Sequence, residues 1–155
     1  MSAVLADPIP IATLDRVRQQ ARAAGTPFAG TVPPHDAWSL VQAGAAVLVD
    51  VRSPEERKFV GYVPAALHVA WATGTSLTRN PRFVRELEAK LRKDDVILFL
   101  CRSGKRSALA AEAATKAGFT NVFNIREGFE GDLNAEQHRG TSGGWRLRGL
   151  PWVQD

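Results

Sequence analysis

The chain is poor in the residues that most often carry redox or metal chemistry. It has one cysteine, one methionine, one tyrosine and three histidines in 155 residues. A lone cysteine excludes an intramolecular disulfide and any cysteine-rich metal cluster. His35, His68 and His138 lie far apart with no metal-ligand spacing, so they read as structural or surface residues and no metal site is expected. No apolar run approaches the ~20 residues that a membrane-spanning helix needs. The start, Met1 to Pro8, has neither a basic n-region nor a long apolar stretch, so no secretory signal is expected. These absences point to a reducing, cytoplasmic setting. No Lys/Arg tract with interleaved aromatics is present, and neither nucleic acid nor a membrane is expected as a partner.

What is present is ordinary in amount and unusual in arrangement. The length suits one domain with a full core. The net charge is +4, and its basic residues are scattered, often next to acids, as in Arg85-Glu86-Leu87-Glu88-Ala89-Lys90. A mild positive field of this kind fits a small anionic substrate.

The single cysteine, Cys101, is the centre of the reading. It ends the apolar run Val96-Ile97-Leu98-Phe99-Leu100 and is followed by Arg102-Ser103-Gly104-Lys105-Arg106-Ser107. The run reads as a parallel strand buried on both faces. The segment from Ser107 to Ala117 is alanine-rich and reads as a helix, with Gly118 placed to end it. Gly104 permits a tight turn between the two. A sulfur at a strand's carboxyl end, facing loop amides, a helix N-terminus and three cations, sits in surroundings that favour a thiolate and an anion. An inert buried cysteine is the plain alternative. It leaves the three cations and the glycine without a reason.

The rest of the chain alternates strand and helix. An amphipathic helix is expected from Thr13 to Ala24, with Leu14, Val17 and Ala21 apolar. Asp36 would cap a short helix ending at Gly44. Ala45 to Val51 is a buried strand. Ser53, Pro54 and Glu56 then form a capping-box pattern with proline at the first helical position. A turn at Gly61–Ala66 leads to a short strand at Leu67–Ala70, and Asn80-Pro81 opens a helix through Arg92, with Asn80 as N-cap and Pro81 at its first position. Asn121 to Ile125 is the last strand. Such alternation predicts an α/β fold, a parallel sheet with helices on both faces. Ligands in such sheets bind at the strands' carboxyl ends, where Asp50-Val51-Arg52, Cys101 and Arg126-Glu127-Gly128 all fall.

Four segments, in order, resemble the rhodanese (sulfurtransferase) homology domain. They are Leu48 to Glu56, the turn Gly61 to Val69, the loop Cys101 to Ser107, and the split pair Gly128-Phe129 with Gly143 to Pro151. Tyr62 and Ala65 depart from the family's usual histidine and glycine. The polar stretch 132–142 looks inserted within the last motif and is expected near the mouth of the site. The resemblance covers about residues 32–153, so residues 1–30 read as a helical extension and 31–155 as a rhodanese-like domain.

The resemblance implies sulfur transfer through a Cys101 persulfide, from thiosulfate or a persulfide donor to cyanide, a thiol or a protein acceptor. It requires no cofactor. Arg102, Lys105 and Arg106 would attract the anionic donor, and the backbone from Arg102 through Ser103 and Gly104 to Ser107 would hold the charged sulfur. Asp50 and Arg52 form a supporting pair. Either they order the neighbouring loops or Arg52 meets substrate, and the first reading is favoured. Trp71 either walls the pocket or fills the core.

Three other readings are open. Phosphatase or arsenate reductase chemistry places an arginine after five residues beyond the cysteine, but here that position is Ser107 and Arg106 comes one residue early. A non-catalytic module of this fold would not need the cationic loop. A sulfur carrier docking on a protein partner would use the same cysteine.

Overall fold

A computed structural model of the chain describes residues 8–154. Its elements are α1 (Pro8–Ala24), β1 (Gly30–Val32), α2 (Pro34–Gln42), β2 (Val47–Asp50), α3 (Pro54–Val60), β3 (Leu67–His68), β4 (Ala72–Thr73), β5 (Thr78–Arg79), α4 (Phe83–Lys90), β6 (Ile97–Leu100), α5 (Lys105–Lys116) and β7 (Val122–Ile125). Five strands form one parallel sheet in the order β1-β7-β6-β2-β3. The parallel α/β architecture expected from the alternation is present.

Pleating decides which side of the sheet each residue serves, because successive side chains on a strand point to opposite faces. Ile97, Phe99 and Cys101 join a cluster with Phe83, Leu87, Ala110, Ala111 and Ala114. Leu98 and Leu100 join the opposite cluster with Val17, Leu40, Phe123 and Trp145. The parity of β6 therefore aims Cys101 at the face that α4 and α5 cover. Small alanines on α5 let that helix lie close to the strand that ends in the sulfur.

Several boundaries differ from those read in the sequence. The helix after the cysteine starts at Lys105, not Ser107, so Lys105, Arg106 and Ser107 form its first turn. Asp36 does not cap α2, which begins after Pro33 with no side-chain cap. Asn80 does not cap α4, which begins only at Phe83. Its side chain instead donates to the Ala70 carbonyl and to Glu86 and accepts the Arg82 N–H, tying a turn. The edge strand β1 and the two-residue hairpin β4–β5 escaped a pattern search because neither is long enough to show a period. The capping box at Ser53 and Glu56 is present as expected, and Gly118 follows α5 with φ 103°.

The N-terminal helix is part of the packing. Leu14 and Val17 are buried in the same cluster as Leu98 and Trp145. Arg18 Nη2 donates to Asn121 Oδ1 at 2.9 Å, beside the start of β7. Leu14→Ala should lower stability by about 2–4 kcal/mol in urea unfolding, as truncation of a buried leucine does. A loss below about 0.5 kcal/mol, the range of surface substitutions, would make α1 an appendage.

Candidate active site

Three carboxyl ends of strands meet at Cys101. The sulfur is nearly enclosed, with the residue 1% exposed. It accepts the Gly104 N–H at 3.1 Å and lies 3.1 Å from Ser107 Oγ. Gly104 has φ 103°, a left-handed conformation that turns its amide back to the sulfur and opens α5. Three cations next to the sulfur in sequence do not leave it exposed. The loop wraps the sulfur and leaves it on the floor of the site, which limits its exposure to bulk oxidants.

The outer side of the loop is strapped by the turn after β7. The Cys101 carbonyl accepts the Phe129 N–H at 2.8 Å, and the Arg102 carbonyl accepts those of Glu130 at 2.9 Å and Gly131 at 3.2 Å. Gly128, at φ 64°, lies so close that a Cβ there would sit 2.6 Å from both carbonyl oxygens. The polar stretch 132–142 leaves directly from this strap and is largely exposed. Its hydrogen bonds are mostly internal, as between Asn134 and His138, and Gly140 N–H returns to the Glu130 carbonyl.

The three loop cations have separate situations. Arg106 makes a two-pronged ion pair with Glu56, both N–O distances being 2.7 Å. Glu56 is also the closing member of the α3 capping box. One carboxylate thus joins the start of α3 to the start of α5. Arg106, expected to help draw an anionic donor, has both terminal nitrogens on the Glu56 carboxylate. Lys105 is exposed, Arg102 and Ser103 are half-buried, and Arg102 Nε has no hydrogen-bond partner among the described residues.

Asp50 and Arg52 are both fully buried, with Arg52 Nη2 2.9 Å from Asp50 Oδ2. Asp50 Oδ1 also accepts the Arg52 N–H, and Arg52 Nη2 donates to the Gly61 carbonyl at 2.7 Å. The guanidinium lies 4.2 Å from the Phe129 ring centre, and Arg57 reaches Asp50 from α3 at 3.3 Å. No part of Arg52 faces solvent, which supports the loop-ordering reading of the pair. Trp71 is buried in the Cys101 cluster, edge-on to Phe83, with Arg79 over its ring. Trp145 is buried and donates to the Pro151 carbonyl, so it packs. His68 Nε2 bonds the Arg52 carbonyl at 2.7 Å, and His35 and His138 are exposed.

One residue near the sulfur was missed in the sequence. Asn124 sits in the buried strand Val122-Phe123-Asn124-Ile125, hydrogen-bonded to Ser107 Oγ through Oδ1 and to the Gly104 carbonyl through Nδ2. A lone amide in an otherwise apolar strand was the available signal, since buried polar groups need partners.

The hollows on the surface lie outside the loop. A groove of about 260 Å3 runs between α3 and the β4–β5 turn, lined by Phe59, Val60, Leu77 and Glu56. Another of about 420 Å3, lined by His68, Asn80, Glu86 and Lys90, contains no residue of the cysteine loop. The first is the one adjoining the Glu56–Arg106 pair.

The rhodanese-like domain family matches residues 33–135. This chain belongs to that family. It is 45% identical to the crystal structure of Rv0390 from M. tuberculosis, over 83% of this chain and 99% of that one, with a TM-score of 0.74. It is 37% identical over 115 residues to the uncharacterized protein RP600 of Rickettsia prowazekii, covering 73% of this chain and 87% of that protein. It is 36% identical over 113 residues to the senescence-associated protein DIN1 of Raphanus sativus, where the match covers 69% of this chain and 61% of the radish protein. Membership supports sulfurtransferase-type chemistry at the level of the family. Among the described residues no helix is long and apolar enough to cross a membrane.

Burial alone would raise the Glu56 carboxyl, but the hydrogen bonds and charge of Arg106, with help from Ser53, outweigh it and hold it below the ordinary value of 4.5. A carboxyl depressed on folding contributes stability that is complete above that ordinary value and is lost as pH falls through the lower, folded one. Glu56→Gln should therefore cost about 1–2 kcal/mol at neutral pH, the scale of a charged hydrogen bond. It should also flatten the acid limb of the stability curve. Urea midpoints measured from neutral to acid pH would show an unchanged limb if the pair contributed nothing.

Proposed function

We propose that the chain is a sulfurtransferase in which Cys101 carries the moving sulfur. The observation that supports this most directly is the sulfur's position, at the end of β6 with the Gly104 amide and the Ser107 hydroxyl within 3.1 Å. Such donors stabilise charge on sulfur more than they stabilise an apolar thiol.

In this reading the Cys101 thiolate attacks the outer sulfur of thiosulfate or of a persulfide. A new S–S bond forms to Cys101, the donor's S–S bond breaks, and sulfite or a thiolate leaves with the electron pair. A nucleophilic acceptor (cyanide, a thiol or a protein thiolate) then attacks the outer sulfur and returns Cys101 as a thiolate. No proton or electron is left unaccounted for, and no cofactor takes part. Arg102 and Lys105 are the cations left to draw an anionic donor. Arg106 acts on the site through Glu56 by fixing the first turn of α5.

Phosphatase or arsenate reductase chemistry is disfavoured by the same pair, because an arginine already gripped on both nitrogens by a carboxylate does not clamp a tetrahedral oxyanion. A protein-docked sulfur carrier is favoured by one feature, the groove beside Glu56 whose rim carries Phe59 at 69% exposure. A reducing compartment such as the cytoplasm suits a thiol that must return to its free form each cycle.

Intact-mass measurement after incubation with thiosulfate tests the reading. Wild-type protein should gain one sulfur atom, lose it on adding cyanide, and show no gain as Cys101→Ser. If thiosulfate fails but glutathione persulfide loads Cys101, the donor is a persulfide; if only a persulfidated protein loads it, the carrier reading holds. If none of the three loads it, the sulfurtransferase reading falls.

A further inference from the structure

We propose that Asn124 tunes the reactivity of Cys101 by competing with its sulfur for the single hydroxyl hydrogen of Ser107. The proposal rests on Cys101 being the reacting group. It assigns Asn124 as a positioning residue, since it reaches the sulfur only through Ser107 and Gly104.

The competition follows from counting hydrogens. Ser107 Oγ lies 3.1 Å from Cys101 Sγ and is also in hydrogen-bond contact with Asn124 Oδ1. The amide's orientation is fixed by its other neighbour. The Gly104 carbonyl, 3.1 Å away, can only accept, so the atom facing it must be Nδ2. Oδ1 therefore faces Ser107, and it too can only accept. A hydroxyl has one hydrogen. When Ser107 gives it to Asn124, the serine turns a lone pair toward Cys101, and that contact is satisfied only by a protonated sulfur donating S–H to Oγ.

Loss of the thiol proton to a base from solution breaks this arrangement. The thiolate has no hydrogen to give and needs the one on Ser107. Swinging it to sulfur leaves Asn124 Oδ1 buried against an oxygen lone pair with no donor, which is costly in a site this enclosed. Asn124 thus disfavours the bare thiolate. Once an outer sulfur is attached, the charge moves to that atom, the inner sulfur demands less, and Ser107 is free to return its hydrogen to Asn124. The same residue that restrains the idle cysteine then favours the loaded one. Gly104, bonded to both the sulfur and Asn124, keeps its place throughout.

Several elements next to the loop carry charged groups. They are Asp50 and Arg52 at the end of β2, Glu56 and Arg57 on α3, Arg79 on β5, Arg102, Lys105 and Arg106 on the loop and α5, and Arg126 and Glu127 after β7. A substitution at Asn124 by an uncharged residue alters none of them, so their contribution cancels in a comparison of variants.

The test is the rate at which iodoacetamide alkylates Cys101, followed from mildly acidic to alkaline pH, for Asn124→Leu in the wild-type and Ser107→Ala backgrounds. Removing the competing acceptor should speed alkylation at neutral pH by about threefold to tenfold and move the rate profile to lower pH, the scale expected for one hydrogen bond to a charged group. In the Ser107→Ala background, where there is no hydrogen to compete for, the acceleration should vanish. No acceleration in wild type, or an equal one without the serine, would overturn the proposal. Should the leucine variant fail to fold, Asn124→Ala removes the same acceptor with no added bulk or charge. It should speed alkylation in the same range, only where Ser107 is present, and no acceleration, or an equal one in Ser107→Ala, would overturn the proposal. Alkylation reads the sulfur directly, so a failure of the sulfurtransferase reading would show separately, as no mass gain from any sulfur donor.

Discussion

Arg52 carries a full positive charge into a place with no solvent exposure. The active edge is organised by the way that charge is met. A buried cation is tolerated only when it is paired and hydrogen-bonded. Asp50, at the end of β2, supplies both oxygens to it, and the Gly61 carbonyl supplies a third acceptor. These bonds fix the chain as it leaves the strand, so Ser53 arrives where it caps α3 and Glu56 arrives where it can turn back to Ser53. The other side of the same guanidinium lies against Phe129, the residue whose N–H holds the Cys101 carbonyl. One ion pair therefore sets both the acid that grips the first turn of α5 and the strap that grips the loop from outside. Such a pair contributes little net stability against an apolar replacement. What it contributes is position.

That dependence explains why a loop with three cations is not simply an open anion trap. A free Arg106 would swing with the flexibility of any long side chain. Held by Glu56, it adds rigidity to the helix turn that presents Ser107, and its charge still lies close enough to be influenced by both Cys101 and Asp50. Rigid dipoles around a reacting atom lower the cost of charge that develops there, because they need not reorganise when it does. Lys105 is exposed and Arg102 is half-buried, while the Gly104 amide and the Ser107 hydroxyl face the sulfur.

The fold and the cysteine loop were legible because their signals are local. A four-residue apolar strand followed by glycine, cations and an alanine-rich helix can be recognised from adjacent residues alone. The capping box at Ser53, Pro54 and Glu56 is equally local. What could not be read is what depends on residues distant in the chain. Glu56 and Arg106 are fifty positions apart, and nothing near either one says that they meet. The same holds for Asn124 and Ser107, and for the strap of Phe129 and Gly131 on the cysteine loop. The cap assigned to Asn80 failed for a related reason. Its side chain found the Ala70 carbonyl and Glu86, partners that exist only once the β3–α4 region has folded.

These long-range contacts also account for the burial of Cys101. A sulfur followed by three cations suggests an exposed, highly charged loop. Two constraints close it: the strap draws the Cys101 and Arg102 carbonyls against Gly128 with no room for a Cβ, and Glu56 pulls the first turn of α5 inward. Enclosure of this kind limits the sulfur's contact with bulk oxidants, while the Gly104 amide and Ser107 Oγ stay within 3.1 Å of it.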